Sequence, residues 1–252
     1  MYLTENGLSP SRAKAQEMIK NGCVEVNGCK AERPSFAVTE SDTVLLHENP
    51  LQRYVGRGGL KLESALSFFS LSPKGQVALD IGASSGGFTD CLLHYGAKYV
   101  YAVDSGCGQL HPSLLSDPRV ESREGVNARY LLPEEFPIAP SFAVMDVSFI
   151  SQTLILPSLS KILPDKGTLV TLIKPQFELE RSALSKGGVV KREDLRKRAV
   201  ERVKTCALSL GFRFVGCMES PIKGGDGNVE YLAAFTVNKD ENKTESEVNA
   251  CE

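Results

Sequence analysis

A chain of 252 residues with 42% hydrophobic and 24% charged side chains suits one large globular domain, or one plus a small appendage. Its longest apolar runs, such as Leu169 to Ile173, are far too short to span a bilayer, and Met1 to Arg12 holds no apolar core of a signal peptide, which sets membrane-spanning and secreted classes aside. The net charge of −2 sits in the tail, where two lysines face five acids from Asn238 onward, so any nucleic-acid footprint on the nearly neutral remainder has to be local.

In chain order, residues 1–48 read as a unit of their own. Ser11 can cap a helix with Ala15, Met18 and Ile19 on its apolar side, ending at Asn21-Gly22. Cys23 to Val26 alternates as a strand, Asn27-Gly28 is a strong hairpin turn, and Val38 and Val44 to Leu46 supply further strand. Residues 49–60, rich in Gly and Arg, form a linker. Lys61 then opens a helix with Leu62, Ala65, Leu66 and Phe69 inward. Strands follow at Val77–Ile81, Tyr99–Val103, Val120–Ser122, Phe142–Val147, Thr168–Ile173, Phe214–Glu219 and Tyr231–Phe235. Helices lie near 88–95, 108–116, 152–163 and 191–210. This alternation predicts an α/β fold over residues 61–237, a mostly parallel sheet covered on both faces, with the final strand joining as an antiparallel edge. Lys191 to Lys204 carries seven basic residues against Glu193, Asp194 and Glu201, as a solvated amphipathic helix would, with Leu195, Val203 and Leu210 inward. The preceding Ser185-Lys186-Gly187-Gly188 either caps that helix or closes over a site. Residues 238–252, without aromatics and dominated by charge, are expected to be disordered. Seven cysteines, an odd number with no C-x-x-C pair, point to reduced thiols in a cytoplasmic setting, and three scattered histidines offer no metal constellation.

The chain is organised around Val77 to Asp90, V-A-L-D-I-G-A-S-S-G-G-F-T-D. A buried strand, a glycine-rich turn and a helix start make a site for a nucleotide-like ligand at the carboxyl edge of a sheet. The spacing is G-x-x-x-G-G, whereas the dinucleotide fingerprint is G-x-G-x-x-G, whose second glycine admits a pyrophosphate. Asp80, within the strand's end, suits a cation better than a phosphate. Asp104 closes the next apolar run, where an acid can hold ribose hydroxyls. S-adenosylmethionine (SAM), with an ammonium, a ribose and no phosphate, fits best; a glycine turn serving only chain reversal is the plain alternative.

Four charged residues stand out by position. Asp146 ends the strand A-V-M-D, Lys174 ends T-L-V-T-L-I-K, Glu230 sits in G-N-V-E-Y-L, and Lys61 opens the first helix. Each alone reads as a surface charge, but in this order they resemble the K-D-K-E tetrad of FtsJ-type RNA ribose 2′-O-methyltransferases. The strings R-Y-V-x-R-G-G-L-K-L, D-x-G-A-S-x-G-G-F-T-D-C-L-L, Y-A-V-D-x-G-x-G-Q-L, D-V-S-F-I-S, K-P-Q-F-E and S-P-I-K-G-x-x-G-N-x-E resemble the TlyA, or hemolysin-type, family more closely still, over residues 5–236. The first unit's S-R-x-K-A-x-x-x-I-x-x-G-x-V-x-V-N-G is similar to the S-four-type RNA-binding domain that this family carries. That domain usually opens with a basic residue, Leu and Asp. Here Met1-Tyr2-Leu3 stands instead, so its first helix is expected to be clipped.

The resemblance implies a Rossmann-like SAM-dependent methyltransferase acting on cytidine in ribosomal RNA. Asp80, Gly82, Ala83, Ser84, Gly86, Gly87 and Phe88 would line the SAM site, with Asp104 on the ribose and Asn127-Ala128 beside the adenine. Arg12, Lys14, Lys20 and Arg53, which charge alone would leave as solvated residues, would face RNA. Ribosomal RNA or ribosomal subunits would be the partners, without membrane or metal.

The chemistry can be argued without the name. The sulfonium carries its own leaving group, so the protein mainly aligns an oxygen behind the methyl, which requires no metal. A ribose hydroxyl is a poor nucleophile until its proton is taken. A lysine can take it once partial burial and a second lysine lower its proton affinity. Lys174 is assigned as that base, Lys61 as the neighbouring cation that steadies the developing alkoxide, Glu230 as the group orienting the lysines, and Asp146 as lying between SAM and Lys174. The choice of base between the lysines follows the resemblance. A membrane-active protein, as the hemolysin name suggests, finds no amphipathic or spanning segment, and liposome leakage would test it. An RNA-binding module without activity is opposed by the complete tetrad, and a small-molecule methyltransferase by the appended RNA-binding unit.

Overall fold

The computed structural model describes residues 2–20, 22–39, 41–47 and 53–239. The chain divides into two units, Met1–Tyr54 and Val55–Glu252. Most of the tail expected to be disordered, residues 240–252, lies outside the described residues, as do residue 48 of the expected first unit and residues 49–52 of the expected linker.

The first unit has two short helices, α1 (Tyr2–Glu5) and α2 (Arg12–Lys20), and three strands, β1 (Val24–Val26), β2 (Cys29–Lys30) and β3 (Val44–Leu46). The strands form an antiparallel sheet in the order β2-β1-β3. Leu3, Ala15, Val24, Val26 and Ala31 form its core, with Met18, Ile19, Val38 and Val44 packed against them. Val38 therefore contributes packing without being strand. Val26 pairs with Cys29, which leaves Asn27 and Gly28 as the two-residue turn, at φ of 51° and 81°. Positive φ at both positions matches the twist of the flanking strands, which is why Asn-Gly is favoured there.

The second unit is a seven-stranded sheet in the order β6-β5-β4-β7-β8-β10-β9. Its strands are β4 (Val77–Ile81), β5 (Tyr99–Val103), β6 (Val120–Arg123), β7 (Phe142–Met145), β8 (Thr168–Ile173), β9 (Phe212–Glu219) and β10 (Tyr231–Val237). The helices are α3 (Gly58–Phe68), α4 (Gly87–His94), α5 (Pro112–Leu115), α6 (Leu156–Ile162), α7 (Pro175–Glu178) and α8 (Glu193–Ser209). Alternate residues of the strands face opposite ways. Leu79, Ile81, Tyr101, Val103, Met145 and Phe235 share one core with Leu156 and Leu159 of α6 and Val203 and Ala207 of α8. Helices α3 and α4 pack on each other, α3 also against β10 and α4 also against β4 and β5.

The differences from expectation have physical causes. The last strand is antiparallel, as expected, but it lies between β8 and β9 rather than at the edge. Its run Leu232–Phe235 is buried throughout, whereas β9 alternates with exposed residues, as an edge requires. The helix expected over 108–116 shrinks to Pro112–Leu115, because the Glu124 carboxylate accepts the backbone N–H groups of Gly108, Gln109 and Leu110 at 2.7, 2.9 and 3.3 Å. These bonds hold the Glu124 carboxyl below its ordinary proton affinity. The helix expected over 152–163 is a short 3-10 turn, Gln152–Leu154, followed by α6, since Pro157 has no N–H with which to continue one helix. Finally, α3 begins at Gly58, three residues before Lys61.

A buried clamp joins the segment after β7 to the end of β8. Gln152 Nε2 donates to the Leu172 carbonyl at 2.7 Å, and Thr171 Oγ1 donates to Gln152 Oε1 at 2.7 Å. The buried Glu178 carboxylate accepts from Ser151 Oγ at 2.5 Å and from Gln152 N at 2.8 Å. Burial, partly offset by these bonds, raises the proton affinity of Glu178. Gln152→Ala, which removes the buried amide and orphans its partners, is expected to lower unfolding free energy by about 2–4 kcal/mol in urea titrations. A change within about 0.5 kcal/mol would show that the clamp does not hold the two strand ends.

Candidate active site

The strand order places the opening. From β4 the chain moves through β5 to β6 on one side, then crosses to β7 and β8 on the other, so the crevice of the open sheet falls at the carboxyl ends of β4 and β7. Gly82 follows β4 and Asp146 follows β7. Gly82 has φ of 83°, and a Cβ there would lie 2.3 Å from the Asp146 carbonyl oxygen, so the two strand ends meet at a place where only glycine fits. A second close approach positions α3: a Cβ on Gly87 would lie 3.0 Å from the Gly56 carbonyl oxygen, and one on Gly58 3.4 Å from the Phe88 ring. The string V-G-R-G-G, residues 55–59, therefore packs on the glycine turn, where α3, the helix that carries Lys61, begins. Val55 N donates to Asp90 at 2.8 Å, which ties the same string to α4.

Two cavities adjoin at this edge. The larger, about 640 Å³, is lined by Asp104, Asn127, Ala128, Asp146 and Phe149, among others. The smaller, about 200 Å³, is lined by Gly58, Ala83, Gly87, Phe88 and Lys174, among others. Gly82, Ser84, Asp146 and Ser148 line both. In the larger cavity the Asp104 carboxylate is set by backbone donors, Ser84 N at 2.8 Å and Gly106 N at 2.7 Å. Ser84 Oγ donates to Gln109 Oε1 at 3.0 Å, and the Asn127 side chain accepts from Arg129 N at 3.1 Å.

Asp80 and Gly86 line neither cavity. Gly86 packs against Leu110 and Leu114. Asp80 is fully buried beneath the turn; its Oδ2 accepts from Thr89 Oγ1 at 2.7 Å, while its Oδ1 has no hydrogen-bond partner among the described residues. Burial pushes its carboxyl up to about 7, and the charges of Asp146 and Asp104 add to this. Asp104 and Asp146 at the ends of β5 and β7, with Asp80 buried beneath them, repel phosphate and favour a cationic ligand; Oδ1 of Asp80 and Oδ1 of Asp146 both lack a hydrogen bond among the described residues.

The four tetrad residues form two ion pairs. Lys61 Nζ donates to Glu230 Oε2 at 2.5 Å, with both side chains buried. Lys174 Nζ lies 2.7 Å from Asp146 Oδ1, off hydrogen-bond alignment, and donates to Ser148 Oγ at 2.8 Å. Tyr231 pairs with Ile173, so Glu230 and Lys174 end adjacent strands at the same level. Each lysine has its own carboxylate, rather than Glu230 serving both. Lys61 and Glu230 line neither of the two cavities. Ser148 was missed in the sequence although it lies two residues after Asp146, as was Glu178 within K-P-Q-F-E. In the first unit Arg12 and Lys20 are exposed on α2 and Arg53 is exposed; the side chain of Lys14 lies outside the described residues.

Comparison with known proteins decides the family. The FtsJ-like methyltransferase family matches residues 54–237. This chain belongs to that family. Residues 1–44 match the S4 domain. Hemolysin A of Brachyspira hyodysenteriae is 45% identical over 237 residues, covering 94% of this chain and 98% of that protein. The 16S/23S rRNA (cytidine-2′-O)-methyltransferase TlyA of Mycobacterium tuberculosis is 42% identical over 230 residues, covering 91% of this chain and 86% of that protein. A solved structure from Streptococcus thermophilus, described as a hemolysin, superposes with a TM-score of 0.74 at 43% identity, covering 94% of this chain and 86% of that one. The chain is thus an FtsJ-like methyltransferase of the TlyA family. Among the described residues of this family member no helix is long and apolar enough to cross a membrane, and no group of three His, Cys, Asp or Glu side chains could hold a metal.

The raised Asp80 carboxyl links stability of this FtsJ-like unit to pH. An acid whose affinity for its proton is higher folded than unfolded contributes stability below the ordinary value of 3.8 and loses it as pH rises towards about 7. At 1.36 kcal/mol per unit this reaches about 4 kcal/mol. Asp80→Asn keeps an oxygen for Thr89 and cannot ionise, so its stability relative to the unsubstituted protein is expected to improve between pH 4 and pH 7 in denaturant titrations. Parallel curves for the two proteins would contradict the buried neutral acid.

Proposed function

We propose that this chain transfers the methyl group of SAM to a ribose 2′-hydroxyl of ribosomal RNA, on a cytidine as in the Mycobacterium tuberculosis relative. The single observation that carries the reading is the pair of joined cavities: a nucleoside-sized one bounded by Asp104 and Asn127, and a smaller one ending on Lys174, with Asp146 and Ser148 common to both. SAM, when bound, would supply an electrophilic methyl group and leave as the neutral thioether. Asp104, fixed by its backbone donors, would accept from the ribose hydroxyls of the cofactor. Asn127 and Ala128 would flank the adenine. Asp146 supplies negative charge towards the sulfonium and ammonium, and Asp80 supports the turn from beneath through its bond with Thr89. Gly82, Ala83, Ser84, Gly87 and Phe88 form the surrounding wall, and Gly86 shapes the turn from behind.

Lys174 removes the proton from the 2′-oxygen in the smaller recess, held there by Asp146 and Ser148. Lys61, fixed by Glu230, adds positive charge that stabilises the oxygen as its negative charge grows. The first unit, through Arg12, Lys14, Lys20 and Arg53, holds the RNA backbone outside the chemistry.

Lys174→Ala is expected to abolish methyl transfer while SAM affinity by calorimetry changes little. Lys174→Arg should be nearly as inactive, because a guanidinium keeps its proton at any working pH. Lys61→Arg should retain more activity, since its charge survives. The single-turnover rate of the unsubstituted enzyme should rise with pH and then level off. A flat profile, or near-normal rate in Lys174→Arg, would reduce Lys174 to a positioning role.

A further inference from the structure

Two loops beside the proposed site carry basic residues that the methyl transfer does not use. From Arg181 to Arg192 the chain has four basic side chains and no acidic one. Arg192 is paired with Asp194 at 2.6 Å, whereas Arg181, Lys186 and Lys191 are exposed and have no carboxylate partner among the described residues. The loop 220–229 presents Lys223, also exposed and also without a carboxylate partner among the described residues. The fringing acids are engaged elsewhere, Glu193 with Lys197 at 2.7 Å and Glu180 with Arg198 at 3.9 Å. Asp226 is the one acid within residues 220–229 and residues 181–192 hold none, so the balance of the two loops stays positive.

Asn228 joins the two loops. It is only 1% exposed; its Oδ1 accepts from Val190 N at 2.9 Å and its Nδ2 donates to the Gly188 carbonyl at 3.2 Å. Its own carbonyl accepts from Gly224 N at 2.9 Å. A buried amide satisfied at both ends is a fixed staple between segments far apart in sequence. The same turn reaches the site, because a Cβ on Gly224 would lie 2.6 Å from Glu230 Oε1, the carboxylate that holds Lys61. Lys223 is thus one residue from backbone packed on a tetrad side chain, and the Lys186 loop is fastened to that backbone. Loops that merely closed the chain would not require unpaired cations gathered on both sides of such a staple.

We propose that Arg181, Lys186, Lys191 and Lys223 form a two-loop cationic rim that holds the sugar–phosphate backbone of the RNA flanking the methylated nucleotide. The assignment rests on the RNA-directed reading above. Lysines act on phosphate as point charges, so the rim would position RNA without reading its sequence.

The test uses the full chain with Lys186→Gln, Lys191→Gln and Lys223→Gln combined, assayed on ribosomal RNA lacking the modification and on intact ribosomal subunits. The KM for RNA should rise about tenfold or more while kcat at saturating RNA, SAM affinity and the thermal midpoint stay near the unsubstituted values. The slope of log affinity against log salt should fall by about 2, as for three lost single-strand phosphate contacts. A matching variant with the three lysines changed to arginine should keep RNA affinity. If the unsubstituted protein methylates RNA and the glutamine variant matches it in KM and salt slope, the rim is overturned while the methyltransferase reading stands. If the unsubstituted protein neither binds nor methylates the RNA, both fall. If the variant loses affinity for intact subunits but not for naked RNA, the rim meets an acidic protein surface and the RNA assignment is overturned.

Discussion

The close contact of Gly82 with the Asp146 carbonyl is the constraint on which the site depends. It brings the ends of β4 and β7 together at the point where the sheet's winding reverses, so that the nucleoside-sized cavity and the lysine recess share one wall. Any side chain at position 82 would have to push those strand ends apart, and Asp146 would move with them. Since Asp146 stands 2.7 Å from the Lys174 ammonium, that displacement would pass directly to the proposed base. Alignment within a fraction of an ångström is what a methyl-transfer site contributes. The Gly56–Gly87 contact does the same for α3, fixing Lys61 on the other side of the turn.

Charge is arranged around this geometry in two shells. Asp80, Asp104 and Asp146 gather negative charge at the strand ends, which is costly without a cation, and part of that cost appears as the proton retained by Asp80 up to about 7. Lys174 compensates Asp146 from the side of the smaller recess. Farther out, Lys61 and Glu230 are buried together, where the attraction and the desolvation cost nearly offset one another and removal of either partner would leave an unpaired interior charge. Beyond them the exposed lysines of the two stapled loops have no carboxylate partner among the described residues. The sign of the surface thus changes from a negative interior suited to a cationic cofactor to a positive rim suited to a polyanion.

Much of this was legible in the sequence where one segment decides the outcome. The strands at Val77–Ile81, Tyr99–Val103 and Thr168–Ile173 are predominantly apolar runs, and each has the predicted limits. Asp146 and Lys174 could be selected because they end such runs, and Lys61 and Glu230 because they complete the family's order of charges. What was not legible depends on distant partners. Glu124 withdraws the backbone of Gly108 to Leu110 from the expected helix. The pairing within the tetrad, Lys61 with Glu230 and Lys174 with Asp146, joins residues from distant segments, which no local pattern encodes. The glycines of residues 56–59 read as part of a linker, yet they are small because α3 and the glycine turn touch there. One signal was available and unread: the unbroken apolar run Leu232–Phe235 marks a strand buried on both faces, which should have placed β10 inside the sheet.

The claim that ties these parts together is that the acceptor atom is a ribose oxygen, because only an oxygen that must lose a proton gives Lys174 its role. Alkali cuts RNA at every free 2′-hydroxyl and spares the bond beside a methylated one. Ribosomal RNA incubated with this protein and SAM labelled in its methyl group, then hydrolysed in alkali, should therefore carry its label in alkali-stable dinucleotides. Label released in mononucleotides would place the methyl on a base and contradict the account.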